Sequence, residues 1–145
     1  MKQITKEYLI KAGIRVLDEK DENGNYIIMR TGKTSRNSKV TDHPLKPSLH
    51  GTYHKWSDNV CYYWIVGFNY DHKIIYIPVH RLYYAWFKGE APHDMDVDHI
   101  DSNSVNNDIN NLRLLTRREN LARRKGYQNQ WQTPKYKESK KKCQE

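Results

Sequence analysis

The stretch that decides the fold is Asp96-Val97-Asp98-His99-Ile100-Asp101-Ser102-Asn103-Ser104-Val105-Asn106-Asn107-Asp108-Ile109-Asn110-Asn111-Leu112-Arg113-Leu114-Leu115-Thr116-Arg117-Arg118-Glu119-Asn120, continuing through a basic segment to Lys125. Val97 and Ile100 flank Asp98-His99 and predict a short strand that ends on a carboxylate beside an imidazole. Ser102 to Asn110 is dominated by Ser, Asn and Asp, whose side chains bond nearby backbone and favour turns over regular structure. Leu112, Leu114 and Leu115 supply a brief apolar return. Thr116-Arg117-Arg118-Glu119 then fits a capping box, in which Thr116 caps the third helical position and Glu119 reaches back to the cap. Asn120 falls at the end of the first helical turn, where a polar side chain projects toward the preceding strands. The expectation is a ββα unit with polar chemistry at its centre.

Three residue types in this unit carry that chemistry. Asp98 and Asn120 both offer oxygen ligands, the preference of hard divalent cations that keep several waters and accept phosphate oxygens. His99 is the side chain best suited to take a proton from water near neutral pH. The order His99-x11-Asn111-x8-Asn120, with Asp98 in front, resembles the HNH nuclease motif in its phage homing-endonuclease branch. The resemblance runs from about Ile77 through Leu121 and includes Val79-His80-Arg81-Leu82 and Asn110-Asn111-Leu112-Arg113. It implies a DNA endonuclease with His99 as general base and Asp98 as metal ligand. Asn120 would be the second ligand of one divalent cation, Mg²⁺ or Mn²⁺, while Asn111 would hold the loop and orient the imidazole. Asn120 stands where many members have His, so this is an HNN variant with an oxygen donor in the last position. Asp101 reads either as a partner behind these residues or as the opening of an Asx-type turn. Each residue alone has an ordinary reading as surface polarity, a turn or a solvent-facing helix position. Their joint order and spacing, followed by a basic helix, favour the nuclease.

The charge is distributed in a way that suits a polyanion. Residues 1–111 hold 14 Lys/Arg and 14 Asp/Glu, whereas residues 112–145 hold 11 Lys/Arg and 3 Asp/Glu and so carry the whole +8 excess. Arg113, Arg117, Arg118, Arg123 and Arg124 lie in or beside the predicted helix and are candidate DNA contacts, together with Arg81 near the start of the preceding helix. Lys135, Lys137, Lys140, Lys141 and Lys142 form a tail that reads equally as a solubilising end or a binding element. Double-stranded DNA is the partner implied, with no membrane and no obligatory protein partner. No apolar run approaches the roughly 18 residues of a membrane span. The start lacks the apolar region of a signal peptide, and Cys61 and Cys143 do not make a disulfide framework or a zinc site. These features together predict a cytoplasmic protein.

Outward from the ββα unit, Pro78 opens a helix with an apolar stripe of Val79, Leu82, Tyr83, Trp86 and Phe87, ended by Gly89. Val60 to Tyr70 alternates as a strand, with Val60, Tyr62, Trp64, Val66 and Phe68 on the face expected to be sheet core. Asp71-His72-Lys73 turns it back through Ile74 to Ile77. Near the N-terminus, Thr5 to Ala12 predicts a helix, and Ile14–Leu17 with Tyr26–Met29 a hairpin around an Asn-Gly tip. Thr31 to Gly51 reads as a linker or extended arm. The organisation expected is an N-terminal helix-hairpin module with linker over 1–51, a nuclease domain over 52–126 and a basic flexible tail over 127–145. The class is α+β, an antiparallel hairpin and helix followed by a ββα-metal motif. The rival reading is a non-catalytic DNA-binding protein on the same scaffold.

The charge asymmetry gives a first prediction. Truncation after Gly126 removes the five tail lysines against Glu138 and Glu145. If the tail grips phosphates, the log–log salt dependence of duplex binding flattens by about 0.9 for each phosphate no longer neutralised, and kcat stays nearly constant while KM rises. An unaltered salt slope would show that the tail is solvated bulk.

Overall fold

The computed structural model describes residues 3–55 and 58–128, with side chains described through Arg123 except that of Asn59. The chain begins with β1 (Ile4–Thr5), α1 (Lys6–Lys11), β2 (Ile14–Lys20), β3 (Tyr26–Lys33), β4 (Val40–Leu45) and β5 (Ser48–His54). It continues through β6 (Asn59–Tyr70), β7 (Lys73–Pro78), α2 (Val79–Lys88), β8 (Glu90–Ala91) and β9 (Met95–His99). A 3-10 turn over Ile109–Asn111 leads into β10 (Leu112–Thr116) and α3 (Arg117–Gln128). All strand pairs are antiparallel: β2-β3-β4, β5-β6-β7, the small β1-β8 pair and the β9-β10 hairpin. This is the α+β class expected, with the ββα unit of β9, β10 and α3 at its C-terminal end. Of the tail expected over 127–145, all beyond residue 128 lies outside the described residues.

Local chemistry accounts for the element boundaries. Thr5 caps α1 by accepting the Tyr8 backbone N–H at 3.1 Å. Gly13 follows with φ +77, where a Cβ would meet the Thr31 carbonyl oxygen at 2.2 Å, so glycine is required on both counts. Asp71 and His72 both adopt positive φ, the two-residue turn whose twist matches the flanking strands β6 and β7. Pro78 ends β7 and caps α2 with a proline's fixed φ, and Gly89 closes the helix at φ +101.

The central element is α2. Val79, Leu82, Tyr83 and Ala85 are fully buried. They join Leu9, Ile14 and Ile28 from the N-terminal part and Val66, Ile77, Val97 and Leu112 from the rest in one hydrophobic cluster. Tyr83 donates its hydroxyl to the Tyr26 carbonyl at 2.8 Å, and the two rings meet edge to face. Residues on either side of position 51 thus share a core.

Two expectations from sequence are corrected by the sheets. The Thr31–Gly51 stretch is not a linker: it finishes β3, forms β4 against it and begins β5. Arg15 on β2 secures the edge strand by a bidentate pair with Asp42 on β4, at 2.9 and 2.5 Å. The apolar face of β6 is core only over its second half. β7 covers β6 from Ile65 to Tyr70, and there Val66 and Phe68 are buried. The first half pairs with β5 alone and leaves Val60 and Tyr62 exposed.

Leu82→Ala is expected to lower the unfolding free energy by about 2–5 kcal/mol, as deletion of a fully buried leucine does. Leu49→Ala, at an exposed position of β5, should stay within about 0.5 kcal/mol. Urea midpoints for the two variants check this; equal midpoints would contradict the placement of the core around α2.

Candidate active site

The β9-β10 hairpin sorts its side chains onto two faces. The register pairs His99 with Leu112 and Val97 with Leu114, facing the core, and pairs Asp98 with Arg113 and Asp96 with Leu115, facing α3. α3 starts where the capping box predicts: Glu119 N–H donates to Thr116 Oγ1 at 3.2 Å and Thr116 N–H donates to Glu119 Oε2 at 2.8 Å. This fixes the helix so that Asn120 and Arg123, nearly one turn apart, both reach β9.

On the α3 face, Asn120 Nδ2 donates to Asp96 Oδ2 at 2.7 Å. Asp98 receives two guanidinium groups on its Oδ2, Arg113 at 2.9 Å and Arg123. Arg123 also donates to the carbonyls of His99 and Ile100, each at 3.0 Å, and to Ser102 Oγ at 2.6 Å. Among the described residues, Asp98 Oδ1 and Asn120 Oδ1 accept no hydrogen bond. A carboxylate and an amide oxygen left in this state on facing elements fit a hard cation completed by water and phosphate. No group of three His, Cys, Asp or Glu forms a metal cluster among the described residues.

On the core face, His99 is 7% exposed and its Nε2 lies 2.8 Å from Oδ1 of Asn107, which is 2% exposed. The His80 ring of α2 packs against it at 5.1 Å between centroids, with interplanar angle 55°. Burial first, then the nearby charges of His99 and Arg81, holds the His80 imidazole down at about 3, so it packs as a neutral ring at physiological pH.

The loop between the strands is knitted by amides. Asn111 accepts from Asp101 N–H at 3.1 Å and donates to Asp101 Oδ1 and to the Asn106 carbonyl, both at 2.9 Å. Asp101 also accepts from Asn103 N–H in an Asx turn and from Asn106 Nδ2, each at 2.8 Å. Donors from Asn106, then Asn103 and Asn111, hold its carboxyl below the usual range. Ser104 Oγ donates to the Tyr62 carbonyl of β6 at 2.5 Å, Tyr26 Oη accepts the Ile109 N–H at 3.3 Å, and Lys20 pairs with Asp108. The loop is thus fastened to both three-stranded sheets.

The structure brings Asp98 and Asn120 to one interface and His99 to the adjoining strand end. The Asn111 side chain bonds the loop; the side-chain bond to the imidazole comes from Asn107. Sequence could not separate Asn107 from Asn103, Asn106 and Asn110 in the same run, because a turn needs similar residues at each. Asp96 was also missed, and the only signal was its i, i+2 spacing from Asp98. Arg81 is corrected. It is 1% exposed and donates to the carbonyls of Met95, Ala91 and Pro92 at 2.9–3.1 Å, which fastens α2 to the segment entering β9. It cannot reach a DNA phosphate. Arg117, 3.7 Å from Asp96, and Arg118 are exposed, and Arg113 keeps 41% of its side chain open. The Arg124 side chain lies outside the described residues.

Residues 78–122 match the family model described as HNH endonuclease. A Bacillus subtilis (strain 168) protein named "SPbeta prophage-derived putative HNH homing endonuclease YosQ" is 45% identical over 42 residues, 29% of this chain and 24% of that protein. The Acanthamoeba polyphaga mimivirus protein named "Uncharacterized HNH endonuclease L560" is 36% identical over 70 residues, 46% of this chain and 37% of that protein. The chain spans well under half the length of either relative. No solved structure matches. Among the described residues no helix is long and apolar enough to cross a membrane.

Asn111→Ala should release the loop without disturbing α3. Amide hydrogen exchange at Asp101 is expected to accelerate by at least tenfold, a loss of about 1.4 kcal/mol or more of local protection. Unchanged exchange there would show that the loop is held without this amide.

Proposed function

We propose, from the premise that residues 78–122 are an HNH endonuclease segment, that the protein is a divalent-metal-dependent endonuclease hydrolysing double-stranded DNA in the cytoplasm of a host cell. We also propose that it serves as the homing endonuclease of a phage-type mobile element, a role that the YosQ name carries for that relative. The observation that supports the catalytic reading is that Asp98 and Asn120, each with a side-chain oxygen that accepts no hydrogen bond among the described residues, both lie at the interface of β9 and α3, with His99 the residue next to Asp98 in the strand. Asp98 and Asn120 would hold one Mg²⁺ or Mn²⁺. Bound there, the cation supplies Lewis-acid stabilisation of charge developing on the phosphate and on the leaving 3′ oxygen.

The chain's own residues do the rest. His99 takes the proton of the attacking water, a step suited to an imidazole at neutral pH. Asn111 keeps the loop closed around the strand end, so that the imidazole and the carboxylate hold their relative places. Arg117 and Arg118 are exposed and contribute phosphate contacts, with the partly exposed Arg113 as a further candidate. Arg123 acts differently, since its donors go to Asp98, to two carbonyls and to Ser102; it holds the strand end in position.

His99→Ala tests the enzyme against a pure DNA binder on the same scaffold. Loss of the general base is expected to lower single-turnover cleavage by about 10²–10⁴-fold while duplex affinity stays within a factor of about two, because a neutral imidazole adds little to phosphate attraction. A variant that still cuts within about tenfold of the parent would remove His99 from the mechanism.

A further inference from the structure

We infer that Asn107 is the positioning residue that makes His99 a base, by holding the imidazole in the tautomer with its proton on Nε2; this inference rests on the nuclease reading for its catalytic meaning but not for its geometry. The pair is enclosed, with Asn107 2% and His99 7% exposed, and Nε2 lies 2.8 Å from Oδ1. At that distance inside a protein, one partner donates and the other accepts. If Asn107 accepts, His99 carries its proton on Nε2 and Nδ1 keeps a lone pair. If the amide is turned over and donates, Nε2 spends its lone pair on Asn107 and the proton sits on Nδ1. Only the first arrangement leaves a nitrogen able to take a proton from water. Nδ1 makes no hydrogen bond among the described residues, so that nitrogen stands unengaged. The same acceptor stabilises the imidazolium formed when the proton arrives.

The surroundings fix the ring from its other side. His80 packs at 5.1 Å and, being neutral, does not repel the imidazolium as a second cation would. Asn107 is itself held between Asn106, whose carbonyl receives Asn111 Nδ2, and Asp108, which pairs with Lys20. Its Nδ2 is buried without a partner among the described residues.

The test has two arms. In the full-length protein with ¹⁵N-labelled histidine, two-dimensional correlation spectra above the titration range should show His99 as the Nε2–H tautomer. An Nδ1–H tautomer would overturn the proposal whether or not the protein cuts DNA. In cleavage, Asn107→Ala is expected to lower kcat by roughly 10–100-fold, part of the general-base contribution of about 10²–10⁴-fold, with KM little changed. Asn107→Asp keeps an accepting oxygen and, ionised beside the imidazole, has no N–H to donate, and should recover most of that rate. In a His99→Ala background, Asn107→Ala should cost nothing further. Equal losses with and without His99, or an Asp variant no better than Ala, would mean that Asn107 serves the loop fold alone. If the parent cuts nothing, the nuclease reading fails while the tautomer result stands.

Discussion

The pairing of His99 with Leu112 across the β9-β10 hairpin is the constraint on which the site depends. Side chains alternate along a strand, so a slip of one residue would turn His99 toward α3 and Asp98 into the core. The register is held by apolar residues on one face, Val97, Leu112 and Leu114 against α2 and its neighbours. On the other face it is held by the Asp98–Arg113 pair across the strands and by Arg123 from α3. Asp98, His99 and Asn120 are thus sorted by ordinary packing before any substrate is considered. The capping box at Thr116 completes the arrangement by setting where Asn120 falls.

What precedes the ββα unit supports this register. α2 touches β9, β10 and the turn between them while burying its stripe against the N-terminal sheet. Tyr26 connects the layers: its ring lies in the core, its carbonyl receives Tyr83, and its hydroxyl receives the Ile109 amide. Arg81 secures the entry to β9 from within. A residue that sequence placed on phosphates therefore acts on backbone carbonyls. Its two terminal nitrogens are spent on three carbonyl dipoles, while Nε is buried without a partner among the described residues, and that environment was invisible without the fold.

The ββα unit was legible because its signals are local. Asn-rich turns, a capping box and short apolar runs each fix a few residues of backbone, and here they agree with one another. The same holds for the turn at Asp71-His72 and the stop at Gly89. The Thr31–Gly51 strands were not legible, since their pairing depends on partners elsewhere: β4 lies on β3, and β5 on β6, with polar exposed faces that look like linker in sequence. Strand propensity depends on such partners more than helix propensity does. Asn107 was hidden for a different reason. Its neighbours Asn106 and Asn111 share its chemistry, and only the fold distinguishes the amide that faces the imidazole from those that bond the loop.

As proposed, Asp98 and Asn120 hold a cation beside a histidine base for cutting DNA. Incubation of supercoiled plasmid with the full-length protein, in Mg²⁺, in Mn²⁺ and in EDTA, tests it most directly. Conversion to nicked or linear DNA is expected with either metal, and none in EDTA. Plasmid left intact with both metals, by protein that demonstrably binds the DNA, would contradict it and leave a binding protein on a nuclease scaffold.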